Sequence, residues 1–111
     1  MNSKIKKVRD ALKKVSDNVY HYECMKKPDQ YIVWAEDSEG SSANGDNRKL
    51  NQSIQGTIDY FTKTEFDENV DRIQDALNAA CISFYLNSVQ DESGDDSGSG
   101  YIHYEWIFEV T

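Results

Sequence analysis

Residues 50–61 of the chain read LNQSIQGTIDYF, a stretch in which apolar and polar side chains alternate. One set of alternate positions comprises Leu50, Gln52, Ile54, Gly56, Ile58 and Tyr60, and the other comprises Asn51, Ser53, Gln55, Thr57 and Asp59. Successive side chains of a strand point to opposite faces of a sheet, so this alternation separates an apolar face from a polar one. The stretch predicts a long strand in a sheet that is covered on one side only.

The next segment, residues 64–80, has the periodicity of a helix. Its apolar stripe consists of Phe66, Val70, Ile73 and Leu77, flanked by Ala76 and Ala80. Spacings of three and four residues place these side chains on one helical face, while Asp67, Asp71 and Asp75 point elsewhere. Thr64 followed by Asp67 approximates a capping box at the first turn. The segment therefore predicts an amphipathic helix with one stripe to bury.

Shorter periodic segments fill the rest of the chain. Residues 3–15 predict a basic amphipathic helix, and residues 19–24, 31–36, 82–87 and 102–110 predict strands. Polar, Gly-containing stretches at about 37–49 and 91–100 predict flexible loops. We therefore expect residues 1–111 to form a single α+β domain. Its two helices pack on one face of a mostly antiparallel sheet of about five strands, in the order α-β-β-β-α-β-β.

Length, charge and cysteine content exclude several classes of protein. A chain of 111 residues has room for one modest core. A net charge of −8 argues against nucleic-acid binding through phosphate neutralisation, which needs clustered Lys and Arg. No apolar run approaches the ~18 residues of a membrane span, and no apolar stretch typical of a signal peptide follows the basic N-terminus. The two cysteines form no disulfide framework, so we expect a soluble protein of a reducing compartment.

The charge is unevenly distributed along the chain. Residues 1–27 carry eight basic and three acidic groups, a net charge of +5, whereas residues 28–111 carry four basic and 17 acidic groups, a net charge of −13. Opposed patches of this kind allow copies to associate head to tail. Both regions are also compatible with ordinary solvated surfaces, so the asymmetry alone favours self-assembly only slightly.

The two histidines, His21 and His103, lie in predicted strands between aromatic neighbours. His103 and Glu105 are two residues apart on one strand face and would form an oriented base, with Cys81 as the candidate nucleophile. Nothing in the spacing brings Cys81 to them, and isolated strand histidines are more commonly surface or interface residues. We therefore assign no catalytic residue and expect the protein not to be an enzyme.

The acidic loop at residues 91–100 suggests a calcium site by composition only. Its acids lack the alternating spacing, the central Gly and the terminal bidentate Glu of an EF-hand. The sequence also contains no Gly-rich phosphate-binding motif followed by Lys and no pair of closely spaced cysteines. We expect neither a cofactor nor a metal.

Several segments of the sequence resemble one family of phage proteins. These segments are residues 31–37, 46–47, 56–63, 66–67, 70–71, 73–74, 88–90 and 100–106. In order and spacing they are similar to the tail terminator, or tail-completion, proteins of long-tailed phages and prophages of low-GC Gram-positive bacteria, often labelled minor capsid or minor tail proteins. The resemblance runs from about residue 20 to the C-terminus.

The resemblance implies a structural role in the virion, at the junction of tail and neck, after assembly in the host cytoplasm. Proteins of this family form a ring, commonly a hexamer, on the completed tail tube. The ring stops tube polymerisation and offers a docking surface to the head-side connector. The implied partners are further copies of the chain, the major tail tube protein and a head-completion or connector protein. DNA would pass through the ring without specific binding, and no membrane is involved.

Assembly contacts of this kind would use the loops and the exposed sheet. The candidate residues are Asp37, Asp46, Asn47, Arg48, Lys49, Asp59, Asp91, Glu92, Asp95, Asp96, His103 and Glu105. Three alternatives stay open. The chain would otherwise be another phage neck or tail protein (a head-completion or tube component), a small acidic inhibitor that mimics DNA, or a small enzyme using His103, Glu105 and Cys81.

Overall fold

The structure is a computed structural model and describes residues 2–40, 53–92 and 100–111. Its elements are α1 (Asn2–Lys13), β1 (Val19–His21), β2 (Gln30–Gly40), β3 (Ser53–Thr62), α2 (Asn69–Ala79), β4 (Ser83–Asp91) and β5 (Ile102–Val110). The strands of the described residues form one sheet in the order β1-β2-β3-β5-β4. The predicted α+β class and the predicted order of helices and strands are confirmed.

The sheet is antiparallel except at one edge. β2 pairs with β3, β3 with β5 and β5 with β4 in antiparallel register. β1 lies parallel to β2, with Val19 opposite Ile32 and His21 opposite Trp34. The strand expected to continue beyond His21 ends there, because Tyr22 has a φ of 78°, outside the β region. The short β1 is therefore one edge of the sheet, and β4 is the other.

One face of the sheet packs against both helices and forms the core. The buried side chains of this core are Val8, Ala11, Leu12, Ile32, Trp34, Ile54, Ile58, Tyr60, Ile73, Leu77, Ile82, Trp106, Phe108 and Val110. The apolar stripes predicted for the two helices both contribute to it. The indole N–H of Trp106 donates to Oε1 of Gln74 at 3.0 Å, so this fully buried ring has its one polar atom satisfied.

Gly56 lies where two strands and an aromatic ring come very close together. A Cβ at this position would lie 2.1 Å from the carbonyl oxygen of Ala35 on β2 and 2.7 Å from ring carbons of Phe108 on β5. Both distances are well inside the optimal separation of about 3.5–4.0 Å for non-bonded carbon atoms. Glycine is required here by packing between neighbouring strands.

The second helix begins later than the periodicity predicts. α2 starts at Asn69, and Phe66, expected in its apolar stripe, lies before it with a φ of 57° and 88% of its surface exposed. The expected capping box between Thr64 and Asp67 does not form. Instead, the backbone N–H of Thr64 donates to Oγ1 of Thr62 at 3.0 Å. The chain before Asn69 is a turn, and the assignment of Phe66 to the core was wrong.

The carboxylate of Asp67 explains this turn. Its Oδ2 accepts hydrogen bonds from the hydroxyls of Thr62 and Tyr60, both at 2.6 Å. The same oxygen accepts from Nε2 of Gln30 at 2.8 Å, and Oδ1 accepts from the backbone N–H of Asn69 at 2.8 Å. Burial raises the pKa of Asp67, but these hydrogen bonds outweigh burial and hold the pKa below its ordinary value. Asp67 thus ties the start of α2 to β2 and β3.

Both predicted loops begin later in the chain than expected. β2 continues to Gly40 through a bulge at Asp37, so the start of the first predicted loop is strand. β4 likewise includes Asp91. Pairing with the neighbouring strand supplies partners for the backbone N–H and C=O groups, and this outweighs the polar composition of these residues. The remainder of the two loops, residues 41–49 and 93–99, lies outside the described residues.

Candidate assembly surface

The face of the sheet turned away from the helices carries polar and aromatic side chains. We call it the open face, and it consists of Tyr31, Val33, Ala35, Gln55, Thr57, Asp59, Phe61, His103, Glu105, Ile107 and Glu109. These residues alternate with core residues along β2, β3 and β5, so their side chains point to the opposite side. Most of them are half-buried by their neighbours in the sheet. The open face is a three-stranded platform without a covering helix.

A histidine–carboxylate pair lies on the open face. Nε2 of His103 is 2.7 Å from Oδ1 of Asp59, and about one fifth of each side chain is exposed (19% and 20%). The imidazole also stacks on the ring of Phe61, with the ring centroids 4.2 Å apart. The hydrogen bond to Asp59 raises the pKa of His103, and burial opposes this effect. Two of the predicted assembly residues, on different strands, are thus brought into contact.

Glu105, a third predicted assembly residue, lies beside this pair. Its Cα is opposite that of Asp59 in the ladder, and its Oε1 accepts a hydrogen bond from Nδ2 of Asn87 at 2.7 Å. The base considered from His103 and Glu105 does not form, because His103 bonds to Asp59. Cys81 precedes β4 at the far end of the sheet, roughly 20 Å from His103 by the rise of an extended chain. The three residues considered for catalysis do not meet in one site.

One end of the open face is covered by the connection between β1 and β2. The hydroxyl of Tyr101 lies 2.9 Å from the carbonyl oxygen of Lys27 and 2.7 Å from that of Pro28, and holds this connection against the sheet. Tyr101 in turn packs edge-on against Tyr31 and Phe61. Burial at this end raises the pKa of Tyr31 to about 12. A cleft of about 410 Å³ lies between the connection and the open face.

A groove runs between α1 and the sheet edge formed by β1. We call it the basic groove, and it is lined by Ile5, Lys6, Arg9, Lys13, Val19, His21 and Trp34, with a volume of about 230 Å³. Its two lysines and its arginine are exposed along one side of α1. His21 stacks on Trp34 and hydrogen-bonds to Glu36. Burial raises the pKa of Glu36, but hydrogen bonds, chiefly from His21, outweigh burial and lower it.

The basic helix could be predicted from the sequence, but the basic groove could not. Lys6, Arg9 and Lys13 are spaced by three and four residues, which places them on one helical face, and this spacing was the available signal. The sequence did not indicate that this side of α1 would lie beside the edge strand β1. β1 pairs with β2 in parallel, and this pairing between separate segments cannot be predicted from a local sequence pattern.

The opposite edge of the sheet, β4, is exposed along most of its length. We call residues Ser83–Asp91 the β4 edge. Leu86 and Val89, opposite Trp106 and Tyr104, point to the helix side of the sheet but are 44% and 50% exposed. These two side chains are exposed because neither helix covers their positions on the strand. Asp91 is the one charged residue of the β4 edge, although edge strands are commonly protected by charge or proline.

The predicted loop residues belong to opposite ends of the sheet. Asp37 lies near the end of β2, and the pairing of Gly40 with Ser53 marks that end of the sheet. Asp91 and Glu92 lie at the other end, where β4 leaves the sheet beside the start of β5. The other predicted assembly residues, Asp46, Asn47, Arg48, Lys49, Asp95 and Asp96, lie outside the described residues.

No family model matches the chain, and no curated protein matches it. Within residues 2–40, 53–92 and 100–111, no group of three or more His, Cys, Asp or Glu side chains is placed to hold a metal ion. In the same part of the chain, no helix has both the length and the apolar character needed to cross a membrane.

Proposed function

We propose that the chain is a structural phage or prophage virion protein, a tail terminator that caps the completed tail tube as a ring and provides the head–tail joining surface. The observation that carries the proposal is the location of the segments with the family resemblance. Residues 31–37, 56–63 and 100–106 occupy β2, β3 and β5, which are adjacent in the sheet. The resemblance thus covers one continuous part of the fold, including the contact between Asp59 and His103.

The two ends of the sheet support a protein with two different neighbours. β2 ends and β3 begins at one end of the sheet, whereas β4 ends and β5 begins at the other, so the acidic residues Asp37 and Asp91 lie towards opposite ends of the sheet. A terminator must contact the tail tube on one side and the connector on the other. Its acidic character also suits a channel, since like charge lets DNA pass without binding.

A genetic experiment tests this role. Deleting the gene from the phage or prophage should give tail tubes of irregular, excessive length that do not join filled capsids. Loss of a tube component would instead give no tubes, and loss of a head-completion protein would give tubes of normal length beside unjoined capsids. Normal virions after the deletion would refute the proposal.

The acidic segment that follows β4 in the sequence has a matched test. Asp95→Asn with Asp96→Asn should leave folding intact but reduce tail capping, because the segment would contact the tube or the connector. Asp71→Asn with Asp75→Asn removes the same charge from the exposed side of α2 and serves as the control. If capping survives the first pair of substitutions, these two acids do not carry the contact.

A DNA mimic receives less support. Such a protein needs carboxylates arranged on one rigid face, as phosphates are on a duplex. The described acids are instead spread over several surfaces: the end of β2, the open face (Asp59, Glu105 and Glu109), the exposed side of α2 and the end of β4. Titration against DNA-binding host proteins would separate this alternative from the structural role.

A further inference from the structure

We propose that the β4 edge of one copy docks into the basic groove of a second copy of this chain, so that the sheets of the two copies join through β4 and β1. This contact would join neighbouring copies in the proposed ring, and in this respect the inference rests on the proposed function. Three independent properties of the two edges fit this pairing: strand direction, the side on which apolar residues lie, and charge.

Strand direction permits the two edges to pair. β1 is parallel to β2, and the three pairings from β2 through β3 and β5 to β4 are all antiparallel. β1 and β4 therefore run in opposite directions within one copy. If the sheet continued from β4 of one copy to β1 of the next, the new pairing would be antiparallel, the slightly more stable arrangement per residue. β1 has three residues, so the ladder itself would be short.

The apolar side chains of the two edges lie on the same side of the sheet. Leu86 and Val89 point to the helix side of β4, where neither helix covers them. The basic groove also lies on the helix side, since α1 forms one of its walls, and Ile5 and Val19 give it apolar surface. In a joined sheet, Leu86 and Val89 of one copy would lie against this apolar surface of the next. This contact would remove from water the exposed apolar surface of Leu86 and Val89 and that of the groove.

The charges of the two edges are complementary. Lys6, Arg9 and Lys13 form the exposed rim of the basic groove. The β4 edge contains no Lys or Arg and ends in Asp91, so its net charge is negative. An acidic surface meeting a basic one would favour contact between unlike edges over contact between like edges. Because the two edges differ, the contact is head to tail, and it forms a closed ring if the rotation between copies closes.

The competing arrangement is a two-fold dimer in which β4 pairs with β4 of the second copy. The bulge between Leu86 and Ser88 lies near the middle of β4, where it would interrupt the ladder of such a dimer. That arrangement would also leave the basic groove without an occupant. An acidic, extended segment of another protein is a third candidate for the groove. The experiment below separates these arrangements.

Sedimentation of the full chain over a concentration range up to about 1 mM tests the contact. The wild-type protein should associate, and both Val89→Lys and Lys6→Glu should weaken the association constant by roughly tenfold or more. Each variant has a matched control. Tyr85→Lys adds the same charge on the other face of β4, and Lys7→Glu makes the same change on α1 outside the groove. Both controls should associate like the wild type, and circular dichroism should show all five proteins folded.

Mixing the two weakened variants gives the sharper result. Val89→Lys retains an intact basic groove and Lys6→Glu retains an intact β4 edge, so an equimolar mixture should form a 1:1 dimer that neither variant forms alone. A wild-type protein that stays monomeric at every concentration would overturn the proposal. So would the absence of the mixed dimer, or association of Lys6→Glu at wild-type strength, which would indicate pairing of β4 with β4.

The association experiment and the genetic test can fail independently of each other. If the chain associates through these edges but deletion of its gene leaves normal virions, the contact stands and the proposed function fails. If deletion gives overlong tubes, but genes encoding Val89→Lys and Lys6→Glu each restore normal tails to the deletion mutant, the function stands and this contact fails.

Discussion

The Nε2–H of His103 donates a hydrogen bond to the carboxylate of Asp59 across the ladder of β3 and β5, with Nε2 2.7 Å from Oδ1. The register places His103 opposite Phe61 and not opposite Asp59, so the contact is diagonal on the open face. The ring lies flat on Phe61, which fixes its orientation. The pair therefore links two central strands at a surface that no helix covers, where its protonation affects both stability and the charge offered to a neighbour.

The stability conferred by His103 should depend on pH. Because folding raises the pKa of His103, its contribution is fully present below the unfolded value of about 6.5 and is lost as pH rises through the higher folded value. In mild acid, we expect the free energy of unfolding of the wild-type protein to exceed that of the His103→Gln variant by up to about 1 kcal/mol. At alkaline pH this difference should be smaller. Urea titrations across this range measure the difference. His21 is present in both proteins, so a difference independent of pH would contradict the assignment.

Gly56→Ala should be strongly destabilising. The added methyl would lie 2.1 Å from the backbone oxygen of Ala35, so relief requires β2 and β3 to move apart. We expect a loss of about 3 kcal/mol or more in the free energy of unfolding, at the upper end for overpacking. Shortening Phe108 should not rescue the variant, because the closest atom belongs to the backbone. Thr57→Ala, on the open face, is the control and should cost less than about 1 kcal/mol.

Asp67→Asn should weaken the attachment of α2 to the sheet. The amide retains one oxygen that can accept from Thr62, Tyr60 and Gln30, but its NH2 group then faces the backbone N–H that Oδ1 of Asp67 accepted. We expect a loss of about 2–4 kcal/mol near neutral pH, since hydrogen bonds to a charged group are lost and donors are left buried. Because folding lowers the pKa of Asp67, its contribution is present above the unfolded value and is lost as pH falls through the folded one.

Urea titrations of Asp67→Asn should therefore show the largest loss near neutral pH and a smaller one in acid. Asp75→Asn, an exposed change within α2, is the matched control and should stay within about 0.5 kcal/mol of the wild type. An equal loss in the two variants would indicate a general effect of removing negative charge, and not the hydrogen bonds of Asp67.

Phe66→Gly tests the corrected position of the helix start. A non-glycine residue at a φ of 57° is strained by about 1 kcal/mol, and the exposed ring has little packing to lose. We expect the free energy of unfolding to stay the same or to rise by up to about 1 kcal/mol. A loss of about 3–5 kcal/mol would mean that Phe66 packs in the core after all. Ile73→Ala, at a fully buried position of α2, should lose about 2–5 kcal/mol.

The sequence predicted those parts of the fold that depend on local periodicity. The alternation along β3 and β5 and the stripes of the two helices gave the class, the order of elements and the side on which the core lies. These patterns are visible because one face of each element is buried, which requires a regular spacing of apolar residues. Asp59, His103 and Glu105 were identified for the same reason, since they lie on the polar side of predicted strands.

The features that depend on distant contacts could not be predicted in this way. Phe66 fits the helical stripe by spacing, but Asp67 is held by Gln30, 37 residues away, and this contact displaces the helix start. Leu86 fits the buried side of a strand, but the position of α2 leaves it exposed. Each case depends on which elements become neighbours, and the local sequence does not contain that information.

Association through the basic groove should weaken as salt is added. Lys6, Arg9 and Lys13 are exposed, and exposed charges are screened over a Debye length that falls from about 30 Å at 0.01 M salt to about 3 Å at 1 M. We expect the association constant of the wild-type protein to fall several-fold between about 0.05 M and 0.5 M NaCl in sedimentation experiments. Lys6→Glu should show a shallower dependence, and Lys7→Glu should keep the wild-type slope. An association constant that rises with salt would indicate that the apolar contact of Leu86 and Val89 dominates and that the basic rim contributes little.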